Sequence, residues 1–283
     1  MRYRLVAALV LLLLALPLAA QNRPRQPAPS KPTPRWPDGR VRLGMLAGEK
    51  GIWVPNGRPI LAEPETDPAI KDGQGRGAFS GPPFPGKPKE SEVPFQPWAR
   101  ALYEYREANL FEPHTRCKPS GGPREFITPG GTEFLDLPDL QTVYIFDVAG
   151  PQSFRIIYLD GRPHPMDLIP SYYGHSVGHW EGDTLVVDTV GFNEKFWMER
   201  QGAPHTSRLH LIERFTRTDF NDMKIEVTID DPGAYTRTWT TGFFIRWSPG
   251  TESQEYICQD GNKAATMMIG NLSEADRSSR IVP

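Results

Sequence analysis

Thiols are nearly absent from this chain: Cys117 and Cys258 are its only cysteines. With no C-x-x-C pair, zinc-ribbon and dithiol redox chemistry drop out. Neither sign of charge dominates. The 32 basic and 34 acidic residues leave a formal net charge of −2 and form no basic patch, so nucleic acid is not an expected partner. Long apolar runs are equally scarce. The one present, at 6–16, is shorter than the ~20 residues a membrane helix needs, so no span is expected after leader removal. A G-x-S-x-G nucleophile elbow, a G-x-G-x-x-G turn after a strand and a Walker A loop are also missing. Serine-hydrolase, nicotinamide-dependent and nucleotide-driven reactions are therefore disfavoured.

What is abundant is proline, at 30 residues in 283, with 26 glycines beside it. Both residues break helix interiors, which argues against a mostly helical protein. Their placement divides the chain, since 20 of the prolines and 13 of the glycines fall between 21 and 130. Residues 1–20 read as a secretory signal: Arg2 and Arg4 open it, the apolar run follows, and Pro17 to Ala20 supply the small-residue exit. The expected location is periplasmic or secreted. Residues 21–37 read as a Pro-rich tether, and 38–130 as an irregular segment that wraps a scaffold formed by 131–283. Wrap and scaffold are expected to make one globular domain. In an exported chain Cys117 and Cys258 are expected to pair, stabilising the domain by ~2–4 kcal/mol.

Within the wrap, 51–55 reads as a short strand. One helix is expected near 97–109, with Pro97 at its first position and Trp98, Leu102 and Tyr105 as its apolar stripe. The scaffold reads as strands at 142–148, 153–159, 184–189, 209–216, 223–229 and 235–246, separated by turn signals such as Glu181-Gly182-Asp183 and Asp231-Pro232-Gly233. The expected fold is mainly β: an antiparallel meander of six to eight strands, closing into a barrel. Residues 176–189 should form a hairpin turning at Gly182, bringing His175 and Asp188 roughly opposite.

Strand alternation sorts the side chains. Met223, Ile225, Val227 and Ile229 share a face. Glu213 falls with Leu209, Leu211 and Phe215, and Arg237 with Tyr235, Trp239, Thr241 and Phe243. If both faces point inward, a carboxylate and a guanidinium sit among aromatic walls, the signature of a binding pocket. The alternatives are an exposed cross-strand pair and a structural pair in the core. Among six histidines, His164, His175 and His205 stand beside turn residues, where binding and chemical groups commonly sit. One of them could act as a general base near neutral pH; a metal at the three stays open, though no compact ligand motif is present and no cofactor is expected.

The string Arg155-Ile-Ile-Tyr158-Leu-Asp160-Gly161-Arg162-Pro-His164-Pro165, followed by Gly174-His175-Ser176-Val-Gly178-His179-Trp180-Glu181-Gly182-Asp183-Thr184-Leu-Val-Val-Asp188-Thr189, carries a resemblance. It is similar to a large family of exported bacterial proteins, mostly without an assigned activity. Further matches are Pro97-Trp98, Pro123-Arg124, Pro204-His205 and Glu213-Arg214-Phe215. The resemblance implies a secreted lipocalin-like β-barrel and supplies no reaction. The family often carries arginine at the position of His179, which makes His179 a poor choice for an essential ligand.

The residues and the resemblance together point to an exported barrel that binds a small, partly aromatic or glycosidic molecule, with His164, Arg155, Trp180, Asp188, Arg237 and Trp239 as ligand contacts. The alternative is a cofactor-independent acid–base lyase, isomerase or hydrolase in the same pocket, with His175 and His205 as base and acid and Glu213 as the orienting carboxylate. A surface interaction module is the third reading.

Overall fold

The computed structural model describes residues 31–46, 48–58, 60–65, 81–109, 112–128, 130–148, 153–255 and 258. The chain divides into two units, residues 1–31 and 32–283, and the barrel belongs to the second. The expected leader, and residues 21–30 of the expected tether, lie outside the described residues.

Nine strands close a barrel in sequence order. They are β1 (Gly51–Asn56), β2 (Thr132–Leu137), β3 (Thr142–Asp147), β4 (Phe154–Tyr158), β5 (His175–Glu181), β6 (Thr184–Val190), β7 (His210–Arg217), β8 (Asp222–Asp230) and β9 (Trp239–Pro249). All neighbours pair antiparallel except β4 and β5, which run parallel through Ile157↔Ser176 and Tyr158↔Val177. The parallel pair departs from the expected pure meander, because the chain must cross over through residues 159–174 to re-enter in the same direction. The wrap also contributes a stave of the barrel: β1 pairs with β9 from Gly51↔Pro249 to Asn56↔Phe244 and touches β2 at Trp53↔Thr132. The hairpin forms as expected, with Gly182 at φ 60° in the turn between β5 and β6. Residues at the end of the expected tether dock on that turn, where Arg35 donates to Asp183 at 2.8 Å.

Alternation sets the core. Met223, Ile225, Val227 and Ile229 of β8 are fully buried, as are Leu211, Glu213 and Phe215 of β7. A 3-10 segment, Gly122–Ile127, is buried along its whole length. Its Phe126 ring lies 5.3 Å from Phe215, 6.1 Å from Phe134 and 6.2 Å from Phe243, so this segment fills space between the walls. Cys117, which precedes it, is disulfide-bonded to Cys258.

The one α-helix among the described residues, α1, spans Pro97–Asn109, but its buried stripe is Ala99, Tyr103 and Arg106. Trp98 and Tyr105 are each 46% exposed, which corrects the expected stripe by one residue. The reason is Arg106: it donates to the Gly202 carbonyl at 3.1 Å and its guanidinium lies 4.9 Å from the Trp197 ring. A pattern that counts arginine as polar rotates the helix the wrong way. Among the described residues no helix is long and apolar enough to cross a membrane.

Candidate functional site

The inward face of β4 to β7 carries a buried polar cluster. Arg155 of β4 donates from Nε to Ser176 Oγ at 2.9 Å and from Nη2 to Thr189 Oγ1 at 2.7 Å. Its Nη1 donates to Glu213 Oε1 at 3.1 Å, and Nη2 reaches the other Glu213 oxygen. Burial works against the guanidinium charge, but the Glu213 carboxylate beside it keeps that charge in place. Glu125 approaches Arg155 Nη1 at 3.8 Å, yet both its carboxyl oxygens lack a hydrogen-bond partner. Burial pushes the Glu125 carboxyl well above the usual carboxylate range, against the pull of the Arg155 charge. The donors of Arg155 are spent on side chains of the neighbouring strands, and Glu213 is wholly enclosed. This cluster fastens the barrel together.

Arg237 is not part of it. Residues 234–238 leave the barrel and pair elsewhere: Phe95 bridges Tyr235, and Thr236 N donates to the Pro94 carbonyl at 2.7 Å. β9 therefore starts at Trp239, and Arg237 is exposed in the preceding turn. The alternation through Trp239, Thr241 and Phe243 holds, and Trp239 is buried at 6% exposure against Tyr235. Arg237, exposed, does not reach the enclosed Glu213 as expected. Trp180 is half-buried and lines a small cleft with Trp36, Asp136 and Leu159.

A second cluster forms on the opposite, outward face of the same strands. Asp188 of β6 pairs with Val177 on one side and Ile212 on the other, which presents its carboxylate beside the residues two positions along each neighbour, His175 and His210. The crossover between β4 and β5 supplies His164. His164 Nε2 and His210 Nε2 lie 3.1 Å and 2.9 Å from the same oxygen, Asp188 Oδ1. His164 Nδ1 lies 2.8 Å from His175 Nδ1. Tyr158 of β4 stacks on His175 at 5.3 Å between centroids, and Arg162 lies 4.0 Å over the Tyr158 ring.

The hydrogens follow from donor chemistry. A carboxylate only accepts, so Nε2 of both His164 and His210 carry hydrogens. A neutral His164 then has a bare Nδ1, and His175 must donate to it from its own Nδ1. That leaves His175 Nε2 as a free lone pair. Burial, with His164 and Arg162 nearby, lowers the His175 pKa and favours this neutral form. The chain His175–His164–Asp188–His210 thus ends in a base held by a carboxylate two groups away.

His205, expected beside His175, lies elsewhere. It is 7% exposed, its ring packs 4.1 Å from Phe196, and its nitrogens face the carbonyls of Phe196 at 3.1 Å and Thr206 at 3.3 Å. Burial pushes its pKa down to about 4. It stabilises a loop. His179 is exposed and meets Glu181 at 3.1 Å. Among the described residues no three His, Cys, Asp or Glu side chains have the geometry to hold a metal ion.

His210, Tyr158 and Arg162 are site residues that the sequence pattern alone does not single out. A signal for His210 exists, since the alternation that puts Glu213 inside puts His210, Ile212 and Arg214 outside, on the face of Asp188. Comparison with protein-family models, with curated proteins and with solved structures gives no significant match.

Proposed function

We propose that this chain is an exported β-barrel protein that binds a small, partly aromatic or glycosidic molecule at the outward cluster of His164, His175, Asp188 and His210. The observation that carries the reading is the convergence of three imidazoles and one carboxylate beside a Tyr158 ring that is topped by Arg162. Imidazole nitrogens offer both donors and acceptors to hydroxyl groups, and an aromatic face offers a stacking surface to a ring. The binding site so proposed lies on the outer wall, whereas strand alternation by itself points to the residues around Glu213.

A specific feature supports acid–base chemistry as the second reading. The bare Nε2 of His175, with His164 and Asp188 behind it, has the arrangement of a general base whose conjugate acid is stabilised through a relay. In that reading Asp188, not Glu213, takes the orienting role.

Titration calorimetry against a metabolite panel of aromatic acids, phenols and glycosides tests the proposal, comparing wild type with His175→Ala. Half-exposed side chains bury little apolar area, so the variant should keep its melting temperature while losing binding. Unchanged affinity in both His175→Ala and Asp188→Asn would rule the site out. Turnover of a bound compound that vanishes in His175→Ala would favour the second reading.

A further inference from the structure

The strands that carry the histidine cluster on their outward side carry the Arg155 cluster on their inward side. Ser176 follows His175 on β5, and Thr189 follows Asp188 on β6; both hydroxyl residues are fully buried. Arg155 holds the two at once, donating to Ser176 Oγ at 2.9 Å and to Thr189 Oγ1 at 2.7 Å. The two hydroxyls also meet each other at 3.0 Å. On β7 the guanidinium reaches Glu213, three residues from His210, and Arg155 itself lies three residues before Tyr158 on β4.

The seam that most needs holding is the one between β4 and β5. Those strands are joined through two register pairs, Ile157↔Ser176 and Tyr158↔Val177, whereas β5 and β6 pair from His175↔Val190 to Glu181↔Thr184. The stack of Tyr158 on His175 lies across this short seam. The guanidinium crosses it too, running from β4 to β5, β6 and β7. A hydrogen-bonded constellation works only when its groups are held to about 0.5 Å by locked neighbours. Adjacent Cα atoms stand about 3.8 Å apart across a planar peptide, so fixing Ser176 and Thr189 leaves His175 and Asp188 little room to shift.

We propose that Arg155 is a positioning residue for the outward cluster, setting from inside the barrel the spacing of the strands that present Tyr158, His175, Asp188 and His210. The inference rests on the reading of that cluster as the binding site. Arg155 acts through Ser176 and Thr189, while Glu213 balances its charge and ties in β7. Its part is therefore indirect, not the ligand contact that the sequence suggests. Lysine does not substitute for it, because a planar guanidinium directs several donors in a fixed fork and an ammonium is a point charge on a flexible stem.

Nitrogen NMR of the histidine rings in the whole chain reads this geometry without a ligand, so its outcome stands apart from the calorimetry that tests binding. In the wild type His175 should carry its hydrogen on Nδ1, and His164 and His210 on Nε2. Arg155→Lys keeps a charge beside Glu213 but loses the fork, and should mix the tautomers of His175 and His164. Ser176→Ala and Thr189→Val each remove one hydroxyl at nearly constant volume. Each should mix the same tautomers to a lesser degree, and the two carry the test if Arg155→Lys does not fold. The His205 ring, which faces the carbonyls of Phe196 and Thr206, should be unchanged in all three. Arg217→Met removes another buried arginine, at the far end of β7, and should lower the melting temperature without altering any of these rings. Wild-type tautomers in folded Arg155→Lys, or in both hydroxyl variants, would overturn the proposal. So would the same ring changes in Arg217→Met, since they would then report general loosening. Ring changes confined to the Arg155, Ser176 and Thr189 variants, alongside unaltered affinity in His175→Ala, would uphold the positioning role and remove only the binding reading.

Discussion

His164 and Asp188 stand 24 residues apart in the chain and meet at 3.1 Å, Nε2 to Oδ1, on the outward wall of the barrel. Each arrives by a different device. Asp188 is placed by strand parity, as the outward neighbour of the buried Thr189. His164 is carried there by the crossover that the parallel β4–β5 pairing makes necessary.

Replacing Asp188 with Asn should loosen the tautomers of two histidines together. The charge that holds hydrogen on Nε2 of His164 and His210 disappears, while the shape stays. Nitrogen NMR of the histidine rings should show both losing their single Nε2–H form. Because Asp188 is 41% exposed at its side chain, stability should change by no more than about 1 kcal/mol. Rings that keep their tautomers would remove Asp188 from the relay.

Breaking the inward pair should behave differently. Arg155→Met leaves the Glu213 charge buried without its partner, at a cost of about 3–5 kcal/mol. Urea denaturation of Arg155→Met and of the double variant with Glu213→Leu measures this. The double variant should recover most of the loss, since two apolar groups of similar volume leave no orphaned charge.

Two buried groups should tilt stability in opposite directions with pH. His205 titrates at about 4 in the folded chain, below the 6.5 of a free imidazole. Its contribution is complete above about pH 6.5 and is lost as pH falls through 4. Glu199 titrates at about 7, raised by burial from 4.5, so its contribution is complete below about pH 4.5 and is lost as pH rises through 7. Each is worth up to about 3 kcal/mol between pH 4 and 7. Glu199→Gln should therefore make stability climb more steeply with pH across that window, and His205→Phe should make it fall. Denaturant midpoints measured at four or more pH values read both effects. A variant whose curve runs parallel to wild type would show that its group does not titrate differently on folding.

Reduction of the Cys117–Cys258 bond, which joins positions 141 residues apart, should lower stability by about 2–4 kcal/mol. The melting temperature with and without reductant reads this directly, and alkylation after reduction should label both cysteines. An unchanged melting temperature would mean that the long loop is already constrained by the barrel.

Several elements are legible in the residues alone, and for a local reason. A period of two marks β8, with one dry and one wet face, and on β7 it sets Glu213 with Leu211 and Phe215, the set that the structure turns inward. Turn residues mark the β5–β6 hairpin, since Gly182 takes the positive φ that the short connection requires. Where the local pattern misleads, the deciding partner is far away in the chain. Phe95 and Pro94 take the residues around Tyr235 away from β9, which removes Arg237 from the barrel. Arg106 is buried because Trp197 and Gly202 receive it.

What the sequence by itself determined, then, is the alternation: which side chains share a face of each strand, so that Glu213 goes with Leu211 and Phe215. Which strands become neighbours is a matter of closure, and that only the tertiary structure decided. It made β1 a stave between β2 and β9, ran β5 parallel to β4, and so brought Arg155 rather than Arg237 to Glu213 and His210 rather than His205 to Asp188. The physical reason is that side-chain parity is set by the geometry of one strand, whereas partnership depends on long-range pairing whose energy no short stretch of residues carries.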